Sequence, residues 1–356
     1  MILDVIKVIF PAALSFGIGI ALTPLLTHYL YKYKAWKKKP RSHAVDGREA
    51  TIFNALHGAK EVGTPRMGGI VIWLSSLMTI GGIWLLAQLS GNGTLVKLDF
   101  LSRDQTWIPL LTLIVGALVG LLDDFLEING KGGYVGGGLS LVKRLLVVAG
   151  LSLFVGWWFY AKLAIITVGL FSGATLTIGV FIIPLFILVA LVLYAGGIID
   201  GLDGLAGGVF AAIFLAYAGI AFYQGQVNLA AFSATIAGAT LAFLWFNVPP
   251  ARFYMSETGT MGLTMTLAVV AFMTDSLGEG HGLIVLPVIA LLLFVTAASV
   301  AIQVASKKLR NGKKVFRIAP LHHHFEALGW PSYKVTMRFW ILSVVCALVG
   351  VILAFL

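Results

Sequence analysis

The stretch Thr106–Asp124 reads TWIPLLTLIVGALVGLLDD: seventeen residues without a charge, then two aspartates. Its apolar residues do not alternate, as in a half-buried strand, and leave no polar face, as on a surface helix. A helix crosses the bilayer hydrocarbon with about 20 apolar residues, each adding about 1.5 Å. Lipid is therefore the solvent this stretch is written for, and the aspartates mark where it meets water.

Similar runs recur along the whole chain. They predict ten spans, at Val5–Leu30, Gly68–Leu89, Trp107–Leu122, Leu145–Tyr160, Phe181–Ile198, Leu205–Tyr223, Leu229–Phe246, Gly259–Thr274, Gly282–Ala305 and Val335–Leu356. The composition agrees: 356 residues, 59% hydrophobic, a mean hydropathy of +0.96 and 11% charged, against roughly 25% charged in a soluble protein. The expected fold is an all-α integral membrane protein, a single polytopic domain over residues 1–356 with about ten transmembrane helices. A β-barrel is excluded because the runs are continuous. The first run is too long for the apolar region of a cleaved signal peptide and reads as a retained span. The lone cysteine, Cys346, makes no internal disulfide. Between the fourth and fifth spans, KLAIITVGLFSGATLTIG (162–179) is β-branched around Ser172-Gly173, and a small periplasmic β-hairpin is expected there.

Basic residues orient the chain. Of 25 lysines and arginines, all but Lys7, Lys97, Arg103 and Lys162 fall in alternate loops. The positive-inside rule makes those loops cytoplasmic, approximately 31–67, 123–144, 199–204, 247–258 and 306–334, and puts both termini outside. The net charge of +10 then answers to anionic membrane lipid or an anionic substrate; no nucleic-acid partner is implied.

Chemistry-bearing residues collect in the same loops. Asp123 and Asp124 end their apolar run side by side, where the helix dipole disfavours negative charge, so a cation, proton or base is needed between them. GGIIDGLDGLAGG sets Asp200 and Asp203 three apart among glycines, and one of the two suits a helix-capping turn. FLWFNVPPARFYMSETGT brings Asn247 to read an amide-bearing ring, Tyr254 to stack on one, and Glu257 as a hard oxygen ligand. FRIAPLHHHFEALGW carries His322, His323 and His324; adjacent residues point apart, so they suit a phosphate better than one zinc ion. Carboxylates, a divalent ion, imidazoles and basic loops are an inventory for phosphoryl transfer beneath a lipid phase.

These motifs resemble a known family over nearly the whole chain. GTPRMGG from Gly63, LLDD ending at Asp124, DGLDGLA from Asp200, FLWFN ending at Asn247, FRIAPLHHHFEALGWP ending at Pro331 and RFW from Arg338 resemble the phospho-N-acetylmuramoyl-pentapeptide transferases. That family is a branch of the polyprenyl-phosphate N-acetylhexosamine-1-phosphate transferases. The resemblance implies a multi-pass homodimer in the bacterial inner membrane with its site on the cytoplasmic face. It implies Mg²⁺-dependent transfer of phospho-MurNAc-pentapeptide from UDP-MurNAc-pentapeptide to undecaprenyl phosphate, giving lipid I and UMP. By matching positions it implies catalytic roles for Asp123, Asp124, Glu257 and His322. Substrate binding falls to Asp200, Asp203, Asn247, Tyr254, Gln303, His323, His324 and Lys143, and the metal to Glu257 and Asp124. Departures stand beside these matches. Glu257 replaces the family's aspartate, Tyr194 and Gly197 replace asparagines, and Arg66 replaces a threonine. A sister transferase using another UDP-sugar, a transporter and an inactive membrane scaffold are the alternatives. One-step and two-step transfer share one residue inventory.

Overall fold

The computed structural model describes residues 2–38, 62–90, 93–102, 105–130, 138–171, 174–277 and 280–356. Much of the first loop expected to be cytoplasmic (39–61), part of the second (131–137) and the expected Ser172-Gly173 turn lie outside the described residues.

Among the described residues there are ten long helices: α1 (Ile2–Lys32), α2 (Ile70–Ser90), α3 (Trp107–Asn129), α4 (Leu141–Lys162), α5 (Ile182–Gly196), α6 (Leu205–Tyr223), α7 (Val227–Asn247), α8 (Ser256–Ser276), α9 (Leu291–Leu309) and α10 (Ser332–Ala354). Among the described residues, nine stretches are long and apolar enough to cross a membrane; α8 is the long helix left out. The chain is a multi-pass membrane protein. Outward faces of α1, α4 and α10 expose Ile9, Leu146, Leu153, Ile341 and Leu348, surface that only lipid or another apolar partner would cover.

α8 is the centre. It carries Thr258, Thr260, Thr264, Thr266 and Thr274, all buried, so it never faces lipid and needs no lipid-facing composition. Several of its hydroxyls donate back to carbonyls one turn earlier, as Thr264 does to Thr260 at 2.8 Å, satisfying them inside the helix. Close crossing with α3 is set by missing side chains. A Cβ on Gly120 would sit 2.0 Å from the Glu257 carbonyl oxygen, so only glycine lets the end of α3 meet the start of α8.

Element ends differ from the sequence reading in ways that bear on the site. α3 continues past Asp124 because Phe125, Leu126 and Ile128 keep it apolar; it stops at Gly130, whose φ of 62° closes the helix with backbone N–H bonds to Leu126 and Glu127. The aspartate pair therefore lies inside the helix rather than at its end. α4 begins at Ser140, an N-cap. The expected ninth span is broken: a short turn, Leu286–Ile289, precedes α9. A further short helix, Leu321–Ala327, lies in the last loop. Residues 167–169 and 175–177 pair antiparallel, with Thr167 opposite Thr177. Asp275 pins this ladder to the far end of α8, accepting from Gly169 N at 2.8 Å and Leu283 N at 3.0 Å.

Candidate active site

The C-terminal ends of α3 and α7, the N-terminal ends of α4 and α8, and the 197–204 turn meet at one end of the bundle. Asp123 and Asp124 are both fully buried there. They do different work. Asp124 caps α8 from a neighbouring helix: Oδ2 accepts from Thr258 N at 2.9 Å and Thr258 Oγ1 at 2.5 Å, and Oδ1 accepts from Glu257 N at 3.3 Å. A carboxylate at the positive end of a helix is favourable, which explains a charge so deep in the protein. Asp123 Oδ1 accepts from Leu139 N at 2.5 Å. Among the described residues its Oδ2 takes no hydrogen bond, and it lies 3.3 Å from Arg144 Nε.

Arg144 then reaches the third carboxylate: Nη1 lies 2.8 Å from Glu257 Oε1. Tyr194 OH donates to Glu257 Oε2 at 3.4 Å. Glu127, one turn beyond the aspartates, is held by Lys37 Nζ at 2.6 Å and Arg66 Nη1 at 2.5 Å. Arg66 also bears on Asp200, moderating its carboxyl group.

The acidic turn is tied to the loop after α7 by its own side chains. Asp200 Oδ2 accepts from Ser256 N at 2.7 Å, and Asp203 Oδ2 from Ala251 N at 3.2 Å. Asn247 uses both ends of its amide, accepting from Gly204 N at 2.9 Å and donating to Phe253 O at 2.7 Å. Burial pushes the Asp200 carboxyl up to about 6, against the pull of the Ser256 N–H. Tyr254 is half-buried, its main chain bonded to Pro65 O and Gly68 N at 2.8 Å each, and burial raises its phenol.

The histidine helix docks on the same turn. A Cβ on Gly201 would meet His322 Nε2 at 2.3 Å and His323 Nε2 at 3.0 Å, so two imidazoles rest on this backbone. Glu326 Oε2 holds His323 Nδ1 at 2.7 Å, leaving Nε2 as the end presented to Gly201. His324 turns away to accept from Arg317 N at 3.1 Å. Gln303 is spent on the last loop, donating to Phe316 O at 2.9 Å and accepting from Val315 N and Phe316 N. Lys143 stands exposed beside the site, its backbone N donating to Ser140 Oγ.

Asp123, Asp124, Glu257, Asp200, His322 and His323 thus come together, whereas Lys143, His324 and the Gln303 amide face elsewhere. Arg144, Thr258 and Glu326 are additions. Arg144 was detectable: the buried positions Val148, Ser152, Val155 and Phe159 mark the inner face of α4, and stepping back four residues from Val148 reaches Arg144, not Lys143. The Mg²⁺ ligands implied by the resemblance, Asp124 and Glu257, are both engaged by protein partners. Asp124 takes N–H and O–H donors on both oxygens, and Glu257 is held by a guanidinium and a phenol. Among the described residues, no three His, Cys, Asp or Glu side chains gather as a metal site requires.

Residues 106–275 match the model of glycosyl transferase family 4. Three relatives carry the name phospho-N-acetylmuramoyl-pentapeptide-transferase. That of Anoxybacillus flavithermus is 31% identical over 97% of both chains, and that of Clostridioides difficile 32% identical over 100% of both. That of Thermodesulfovibrio yellowstonii is 33% identical over 82% of this chain and 80% of its own. The chain belongs to the phospho-N-acetylmuramoyl-pentapeptide-transferase family. Glycosyl transferase family 4 covers α3 to α8, which carry Asp123, Asp124, Asp200, Asn247 and Glu257. The histidine helix and α10 lie beyond that match but inside the full-length likeness to the pentapeptide-transferases.

Proposed function

We propose that this chain transfers phospho-MurNAc-pentapeptide from UDP-MurNAc-pentapeptide to undecaprenyl phosphate in the bacterial inner membrane, yielding lipid I and UMP for peptidoglycan synthesis. The observation that carries the reading is the convergence of α3, the 197–204 turn, the start of α8 and the histidine helix at one end of a membrane bundle. Full-length kinship to relatives of that name supports it. The basic loops at that end support a cytoplasmic site, where the nucleotide substrate is, with both termini outside and α8 as a tenth span. The family resemblance adds a homodimer.

An oxygen of the lipid phosphate attacks the sugar-bearing phosphorus of the nucleotide. A new P–O bond forms there, and the bond to the bridging oxygen breaks, so UMP leaves with the electron pair. Asp123 takes the proton of the attacking phosphate in this reading, which is supported by its Oδ2 accepting no hydrogen bond among the described residues. His322 and His323, against Gly201, suit the phosphates as hydrogen-bond donors. Lys37, Arg66 and Arg144 supply positive charge where two phosphoesters must approach each other.

The test is UMP release by the purified chain in detergent with both substrates, with and without Mg²⁺, beside Asp123→Asn and with UDP-GlcNAc as a competing donor. Release that needs both substrates and collapses in Asp123→Asn is the expected result. Release driven by UDP-GlcNAc, or undiminished in Asp123→Asn, would refute the assignment.

A further inference from the structure

The carboxylates that a divalent cation would need are already engaged by the protein. Asp123 and Glu257 come from different helices and are brought together in a buried site, where like charges repel strongly. What lies between them is Arg144, with Nε 3.3 Å from Asp123 Oδ2 and Nη1 2.8 Å from Glu257 Oε1. Its guanidinium is planar and permanently charged: Nη1 donates to Glu257, while Nε, whose hydrogen goes to Leu139 O at 3.1 Å, faces Asp123 as charge alone. Tyr194 OH approaches the other oxygen of Glu257 at 3.4 Å, so both carboxylate oxygens are held from separate helices.

Side-chain length makes this possible. An aspartate at position 257 would end about 1.5 Å short, the length of one carbon–carbon bond, and would not reach Arg144 and Tyr194 from the same backbone. Tyr194 and Glu257 touch here, so the length of one side chain and the reach of the other are coupled.

We propose that Arg144 is the resident counter-ion of Asp123 and Glu257, and that a divalent cation reaches this acid cluster only by displacing Arg144 from Glu257. Tyr194 is a positioning residue in this arrangement, holding Glu257 toward the guanidinium. The proposal deepens the reading of the site as a transferase centre, but its test needs no turnover.

The probe is Mn²⁺, a cation that accepts the same hard oxygen ligands, titrated into the full-length chain in detergent and followed by the electron paramagnetic resonance signal of free Mn²⁺. Arg144→Gln removes the competing charge and is expected to bind Mn²⁺ at least about tenfold more tightly than the native chain. Arg144→Lys retains a point charge that cannot fork between two acids; it falls between the two and decides the matter alone if the glutamine variant does not fold. Adding Glu257→Gln to Arg144→Gln abolishes the gain. Unchanged or weaker Mn²⁺ binding after removal of Arg144, or a gain that survives Glu257→Gln, overturns the proposal. A chain that binds Mn²⁺ as expected yet releases no UMP would leave this proposal standing and refute the transferase reading.

Discussion

Asn247 separates two accounts of the site most cleanly. From sequence it reads as an amide facing the nucleoside; in the structure both ends of that amide are bonded to main chain. It is 1% exposed, accepting from Gly204 N at 2.9 Å and donating to Phe253 O at 2.7 Å. In Asn247→Ala a buried N–H and a buried carbonyl lose their partners, each costing about 1 to 3 kcal/mol. The expected destabilisation is about 2 to 6 kcal/mol, which merges with the lower end of the cost of an excavated buried side chain. Asn247→Asp keeps the acceptor for Gly204 but sets a carboxylate oxygen against the Phe253 carbonyl, so it also loses stability. Thermal unfolding in detergent reads both variants, and UMP release reads kcat and KM separately. The expected pattern is a large fall in melting temperature for Asn247→Ala and a fall in kcat as the turn holding Asp200 loosens. A native melting temperature with a raised KM for the nucleotide would refute the reasoning and return Asn247 to nucleoside recognition.

Lys143→Ala changes stability by less than about 0.5 kcal/mol, whereas Arg144→Ala strands Asp123 and Glu257 and costs about 3 kcal/mol or more; equal effects in denaturation would contradict the geometry. Gly201→Ala drives a methyl group into His322 Nε2 and His323 Nε2 at 2.3 and 3.0 Å, costing about 1 to 3 kcal/mol, and UMP release should fall while Gly219→Ala, with open space at its Cβ, stays native. Asp200 rises from 3.8 to about 6 on folding, so between those values the folded chain binds more protons than the unfolded one. Its contribution is greatest below pH 4 and is lost as pH rises through 6; Asp200→Asn should flatten the melting temperature over pH 4 to 6, and an unaltered slope would rule the assignment out.

The spans were legible because lipid makes a crude demand, length and apolarity, that a linear sequence displays openly. α8 forms where a short eighth span was expected at Gly259–Thr274, but its threonines weaken the apolar signal and leave it outside the nine stretches apolar enough to cross a membrane. The acidic and histidine segments were legible as chemistry, since Asp123, Asp124, Asp200, Glu257 and His322 do meet. What the sequence did not display was the division of labour among them. Asp200, Asp203, Asn247 and Gln303 find main-chain N–H and C=O partners, and those partners take their positions only when the loops fold. A polar side chain that braces a loop and one that binds a ligand look alike in a motif. Arg144 differs: its inward direction follows from helical spacing once the buried face of α4 is known, and the neighbouring Lys143 carries the same charge on the wrong face.

The fully enclosed α8 has a consequence for how the chain is made. A helix of 21 residues with five buried threonines, a glutamate near one end and an aspartate near the other is a poor guest for bare hydrocarbon. By the time it emerges during synthesis, α3 and α7, which supply Gly116, Gly120 and the loop braces, have already been made. The earlier helices can therefore serve as its solvent, and biogenesis depends on their order. Truncations that delete α3 should strand α8 at the membrane surface even though α8 itself is intact, whereas detergents that strip away the surrounding lipid leave its environment unchanged.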